Sequence, residues 1–555
     1  MDLIYGLFLG VLFVSSCTSE ESKDVKKRSP VVQTPLGVTY PVRTAKEIRQ
    51  LQETGVLAPG DVIEMQNGIW ESQRIIVNVS GTEEAGRRIY LTAQTPGGVS
   101  LRGKSYIRMN GNYIEVRGAL FEGTSWEKHY PFQFSKNTHH NRVTNCLVRG
   151  FNREDSVSTK HYWVELWGSY HTVDWNAFEG KGMHNGEIVR VKGDPSEVRE
   201  SWGHYIANNY FGARPDVQTN SAEAIQIGMK NNFQDLETVV ENNVFYNYDG
   251  EIETISVKGS NCTLQYNTFI QSKGLLCLRA GDRNVVQGNY FFCDNKKDCG
   301  GIRIHGNDHR ILNNYVEGEY SASMARGSMI VHSGNPEAGS NGDKRRTQRS
   351  LIAFNSFVKC RRCIIIGEGG EEYPRDNIIS NNVVWGENPL VTLIDIEDGA
   401  VDNAHNTLFE SNIVSNGYSF RTGNGIRQTA PRLVRHPVFQ YYTPSAESTA
   451  LIRQARGEYR RATTEDISGR WRAMPTDIGA ALYEANTNEI PTRRPLGPSD
   501  VGPDWYTPTL INPQEHWEQY DFSHYDDFDF SQEGIKIPKV KVKDGKVIKP
   551  EMKLD

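Results

Sequence analysis

The body of this 555-residue chain has no long basic run and no nucleic-acid-binding fingerprint. Net charge is −6 and the sequence pI about 6.2, which argues against nucleic acid as a partner. Apolar residues are scarce, at 37 %, while glycine is plentiful, at 51 residues, and Asn-rich turns recur. That balance suits a long, repetitive all-β protein better than a helical one. A complete zinc site is also missing. Cys360-Arg-Arg-Cys363 has metal-like spacing, but no second pair accompanies it. Setting Cys17 aside leaves seven cysteines, so at least one is unpaired in a monomer. Cys293 and Cys299 are placed for a local disulfide in an oxidising compartment, and the others read as stacked core residues.

The N-terminus reads as a targeting segment. Leu3 to Val14 is apolar, and Val14-Ser-Ser-Cys17 resembles a lipoprotein signal-peptidase site, although Asp2 and the lack of Lys or Arg before it are atypical. A single transmembrane helix is the alternative, but the run is short for one. Lipidation at Cys17 would tether the chain without spanning the membrane, with Thr18-Ser-Glu-Glu-Ser-Lys as an acidic tether. This resembles the export signal of surface lipoproteins in Bacteroidetes-like bacteria. It implies a place on the outer membrane or cell surface of a Gram-negative bacterium, with the periplasm as the alternative. The expected organisation is a leader over 1–17, a flexible tether over 18–35, one large domain over 36–506 and a peripheral tail over 507–555.

Thr44 reads as the N-cap of a short amphipathic helix through about Leu51, followed by a turn at Pro59-Gly60-Asp61 and a strand over Val62 to Met65. Such a helix closes the open end of a solenoid. From there a unit marked Asn-x-(Phe, Val or Leu) recurs, at Asn145, Asn176, Asn209, Asn243, Asn267, Asn289, Asn314, Asn355, Asn382 and Asn412. Spacings run from 22 (Asn267 to Asn289) to 41 (Asn314 to Asn355). Short strands at this period without intervening helices predict a parallel β-helix. A β-propeller needs about 40 or more residues per blade. Asn suits the turns because it tolerates left-handed backbone and its amide can bond from coil to coil. Beyond Gly425 the pattern fades into an irregular, partly helical cover.

One stretch, Gly250 to Gly288, carries the chemistry. Strand alternation places Glu251 and Glu253 outward, and one phase slip near Thr254 brings Lys258 to the same side. In SKGLLCLRAGD, Leu276 and Leu278 point in, so Arg279 points out. Two acids and two bases on an open face suit β-elimination of a polyuronate. The proton on carbon 5 becomes removable once the neighbouring carboxylate is neutralised by a metal ion or an Arg. Glu251 and Glu253, with an oxygen ligand from a neighbouring coil, suit calcium. Lys258 is then the base and Arg279 the charge stabiliser. The bland alternative is a solvated surface with a lateral salt bridge worth little.

EIETISVKGSNCTLQYNTF, GLLCLRAGDRNVVQGN and GGIRIHGNDHRILNNYV together resemble polysaccharide lyase family 6, which comprises alginate lyases and chondroitinase B. GDVIEMQNGIW, SAEAIQIG and DVGPDW extend the resemblance over most of residues 38 to 506. It implies an all-β, right-handed parallel β-helix and a Ca2+-dependent lyase acting on an anionic polysaccharide, alginate before dermatan sulfate. By the same resemblance Lys258 is the general base and Arg279 the general acid. Asn220, Glu251 and Glu253 match the calcium ligands, with Glu223 nearby. Arg303 matches a substrate-binding position. One departure stands out: the family's Arg-His-Gly is Arg279-Ala280-Gly281 here. His305 is the candidate to make up that substrate contact. Uronate epimerisation and glycan binding without cleavage are the competing readings.

Overall fold

The computed structural model describes residues 33–510, except 126–129, 154–159, 183–185, 194–200, 218–219, 230–233, 322–324, 336–343, 387–391, 397–405, 416–417, 420–424, 438 and 485–490; it also describes a strand pair at Lys541–Lys543 and Lys546–Ile548. Cys17 and the tail from Gln514 to 540 lie outside the described residues. No described helix is long and apolar enough to cross a membrane.

Three long parallel sheets, of 14, 13 and 14 strands, make up the body. From Val62–Met65 onward the chain visits each sheet once per coil and pairs every strand with its counterpart one coil earlier. This is the expected parallel β-helix. Inward side chains of all three sheets merge into one apolar core running from Val42 to Ile426. Within it Phe178, Phe211, Phe245, Phe269 and Phe291 stack rung on rung, with centroids 5.3 to 4.4 Å apart.

The repeated Asn forms a continuous interior ladder. In each rung from Asn176 to Asn382 the backbone N–H and the side-chain amide both donate to the next Asn Oδ1, at 2.9–3.1 Å. Each of these buried polar groups is thereby satisfied, as a core position demands. Asn145 is a correction: Leu147 pairs with Ala177, so Cys146 occupies the ladder position. Asn145 instead faces outward and bonds Asp504.

The helix α1, Ala45–Glu53, starts at Thr44, whose side chain accepts from the Glu47 N–H, and buries Ile48 over the first coil. At the other end, Leu433–Arg435 and Tyr442–Pro444 form an antiparallel pair. They pack with Tyr441, Leu451 and Ile478 on the outer face of one sheet against Tyr290, Tyr315 and Trp385. The chain then runs back along that face. Leu496 meets the coil of Thr268, Gly502 that of Asn208, and Trp505 that of Asn145. Cys293 and Cys299 form the expected disulfide, and the other described cysteines are buried thiols.

Candidate active site

On the 13-stranded sheet, the strands from Val164–Leu166 to Ile364–Ile366 each end in an apolar residue of the core, and the next residue leaves the wall. Trp167, Lys192, Gly228, Lys258, Arg279, His305, His332 and Gly367 hold this position in successive coils. Each donates its backbone N–H to the carbonyl of the strand-end residue one coil earlier, at 2.8–3.2 Å. They form one column with adjacent members about 4.8 Å apart.

Lys258 enters the column through a register shift between Glu253 and Ile255, where the phase slip near Thr254 is expected. Ile255 and Val257 fill the core, while Ile252 packs outside it against Leu275, Ile330 and Ile365. No side-chain hydrogen bond or ion pair holds the half-buried Lys258 among the described residues.

Glu253 lies below the column, 4 % exposed. Its Oε1 accepts from Arg279 Nη1 at 2.8 Å and from Arg303 Nη2 at 2.5 Å. Burial pushes its carboxyl up, but Arg303 and then Arg279 more than reverse this and hold it at about 2. Arg303 also donates its Nε–H to Cys277 Sγ at 3.2 Å. Burial pushes that thiol up to about 12, so it stays protonated. Glu253 thus fixes the Arg279 guanidinium beside Lys258 by a charge-assisted bond.

The second acid has another partner. Burial raises the Glu251 carboxyl, and Glu223 shares a hydrogen bond with it. Glu223 is raised further, by burial and then by Glu187 and Glu251. Glu223 Oε2 and Glu187 Oε2 are buried without a partner. Asn220 is exposed and turns its Oδ1 to the neighbouring Ser221 N–H at 3.0 Å. Among the described residues no three His, Cys, Asp or Glu side chains converge as a ready metal cage. Even so, two facing carboxylates with an orphaned buried oxygen are the hard oxygen donors a calcium ion takes, and the residues fit such an ion at the Glu223–Glu251 pair.

Arg303 and His305, expected to touch substrate, are both buried, at 6 % and 1 %. The His305 ring lies 4.0 Å from that of His332, which pairs with Glu368. Ala280 is 3 % exposed, so the position after Arg279 offers no side chain to a ligand. Sequence reasoning missed His332, Glu368, Trp167 and Lys192. The signal for three of them is a repeated apolar-x-apolar-x tetrad: ISVK, LCLR, IRIH, MIVH, VRVK and VELW.

No curated protein matches the chain by sequence. Among solved structures, the PL6 family alginate lyase AlyGC superposes with a TM-score of 0.71 at 24 % identity, covering 85 % of this chain; the chain spans only 60 % of AlyGC. A mannuronic acid specific family 6 lyase from human gut microbiota gives a TM-score of 0.63 at 25 % identity, over 71 % of this chain and 91 % of its own. A family 6 polysaccharide lyase from Pseudopedobacter saltans gives 0.56 at 21 %, over 84 % and 99 %. The Chondroitinase B family model matches residues 42–423, more than half of the chain. The match spans the coils that carry Glu223, Glu251, Glu253, Lys258, Arg279 and Arg303, and the chain belongs to that family, polysaccharide lyase family 6.

Proposed function

We propose that this protein is a calcium-dependent lyase that cleaves a polyuronate, alginate first, by β-elimination. The observation that carries the reading is the adjacency of Lys258 and Arg279 in one column, with Glu253 locking the guanidinium. The neutral amine of Lys258 takes the proton from carbon 5. The freed electron pair forms the carbon 4–carbon 5 double bond, and the glycosidic oxygen on carbon 4 departs with its bonding electrons. Arg279 remains a cation throughout. Its part is to stabilise charge as it develops and to orient the water that protonates the leaving oxygen. Calcium held by Glu223 and Glu251, with Asn220 and Glu253 beside them, would supply neutralisation of the uronate carboxylate.

Alginate is favoured because the 25 %-identical gut relative is described as mannuronic acid specific and others as alginate lyases. A dermatan sulfate lyase is the second reading, favoured by the matching family model, Chondroitinase B. Incubating the protein with alginate, dermatan sulfate and pectate and following ultraviolet absorbance tests both. Elimination creates a conjugated double bond, whereas epimerisation and simple binding do not. Growth of absorbance on none of the three would defeat the reading. The leader adds a place of action: we infer a Cys17 lipid tether at the cell surface, where the polymer is met.

A further inference from the structure

The column continues toward the N-terminal coils in a way the elimination chemistry does not use. One coil before Lys258 stands Gly228, which has no side chain, and the place a Cβ would take there is filled by Leu236. One coil earlier is Lys192, and one earlier still is Trp167, so the two lie about 10 and 14 Å from Lys258 along the axis. The Trp167 ring is half-buried and belongs to no core cluster, since Val164 and Leu166 fill the interior on its strand. Lys136 Nζ lies 4.5 Å and Lys192 Nζ 5.5 Å from the Trp167 ring centroid. Lys192 also lies 5.2 Å from the Tyr162 ring and is oriented by Glu165 Oε1 at 3.3 Å. The ammonium groups and rings therefore form a polar, aromatic-walled step in line with the catalytic pair.

We propose that Trp167, Lys192 and Lys136 form a distal subsite for a uronate unit of the same polymer chain, two to three sugars from the bond that breaks. The inference rests on the polyuronate reading. A 1,4-linked pyranose advances by about the length of one rung, so successive sugars keep pace with successive coils. The sugar beside the reacting unit comes level with Gly228, which offers it no side chain. The carboxylates of the next two come level with Lys192 and Lys136, as charge-assisted partners. The indole offers the apolar surface on which a sugar's C–H face packs. Glu165 holds Lys192 extended in the free protein and yields part of that contact to the incoming carboxylate.

The test uses the full chain with Lys192→Gln, Trp167→Phe and the double variant Lys136→Gln/Lys192→Gln, on a size series of oligouronates. The expected result is a KM for long oligomers raised about tenfold in the double variant, with a kcat change within about twofold. The loss shrinks as the oligomer becomes too short to reach Trp167. A loss equal at every length, or none on the polymer, would overturn the subsite. Retardation in polyacrylamide gels cast with alginate or dermatan sulfate reads binding without cleavage. Wild-type retardation that weakens in the variants supports the subsite even if no absorbance grows, whereas variants that run like wild type sink it. A wild type that neither cleaves nor is retarded overturns this proposal together with the reading beneath it. Melting temperatures near that of wild type exclude misfolding as the cause.

Discussion

Two columns run along the middle and C-terminal coils of this β-helix, and they obey opposite rules. The interior column repeats one residue: from Asn176 to Asn412 every rung is asparagine, each bonded to the next. The outer column on the 13-stranded sheet changes at every rung, from Trp167 through Lys192, Gly228, Lys258 and Arg279 to His305 and His332. Both positions have equally regular backbone hydrogen bonding. The difference is in what each side chain faces. An interior amide bonds its neighbour's amide on one side and a core backbone carbonyl on the other, as Asn267 does with Asn289 and Val240, so one substitution leaves buried groups unsatisfied in the neighbouring rungs. An outer side chain lies outside the apolar core and has no repeated partner, so each rung can take on a separate task. Regularity in one column is what leaves the other free to vary.

The largest expected effect comes from the outer column. Lys258→Ala is expected to lower turnover about a thousandfold or more while the melting temperature stays near wild type. Turnover near wild type would remove Lys258 from the base role. Next is chelation, read by the absorbance assay with and without EDTA. Activity should fall strongly and return on adding calcium; indifference would leave neutralisation to the arginines. The interior column should behave in the reverse way. Asn267→Ala strips the acceptor from both the backbone and side-chain N–H groups of Asn243. A stability loss of about 1–3 kcal/mol per orphaned group is expected by denaturant melt, with kcat of the folded fraction unchanged. The smallest effect is reserved for a surface control. Arg349 and Asp308 pair at 2.8 Å with side chains 48 % and 41 % exposed. Arg349→Ala should shift stability by less than about 1 kcal/mol and leave turnover alone. A larger shift would mean that outward turns bear more of the fold than the two-column contrast allows.

These contrasts also explain what could be read from the residues alone. The coil, its Asn marker and the slip that carries Lys258 outward were legible because strand parity is a local property, visible within a few residues. Asn145 misled for the same reason. The motif is local, but the ladder position is set by pairing with the next coil, where Cys146 stands opposite Asn176. Contacts between coils were less legible still. Arg303 reaches Glu253 across two rungs, and Glu223 reaches Glu251 across one. Loops of unequal length separate those rungs, so sequence spacing does not give their register. His332 had its local tetrad, but its contacts with His305 and Glu368 went unseen because those partners lie in other coils.

The returning segment at the chain's end has a consequence for biogenesis. Leu496, Val501 and Trp505 seal the outside of coils made hundreds of residues earlier, covering Tyr210 and Tyr246. As the chain folds, those early coils keep that apolar flank bare until the last segment of the domain docks on them. A chain ending before Leu496 would keep Tyr210 and Tyr246 uncovered, a sticky surface that favours aggregation.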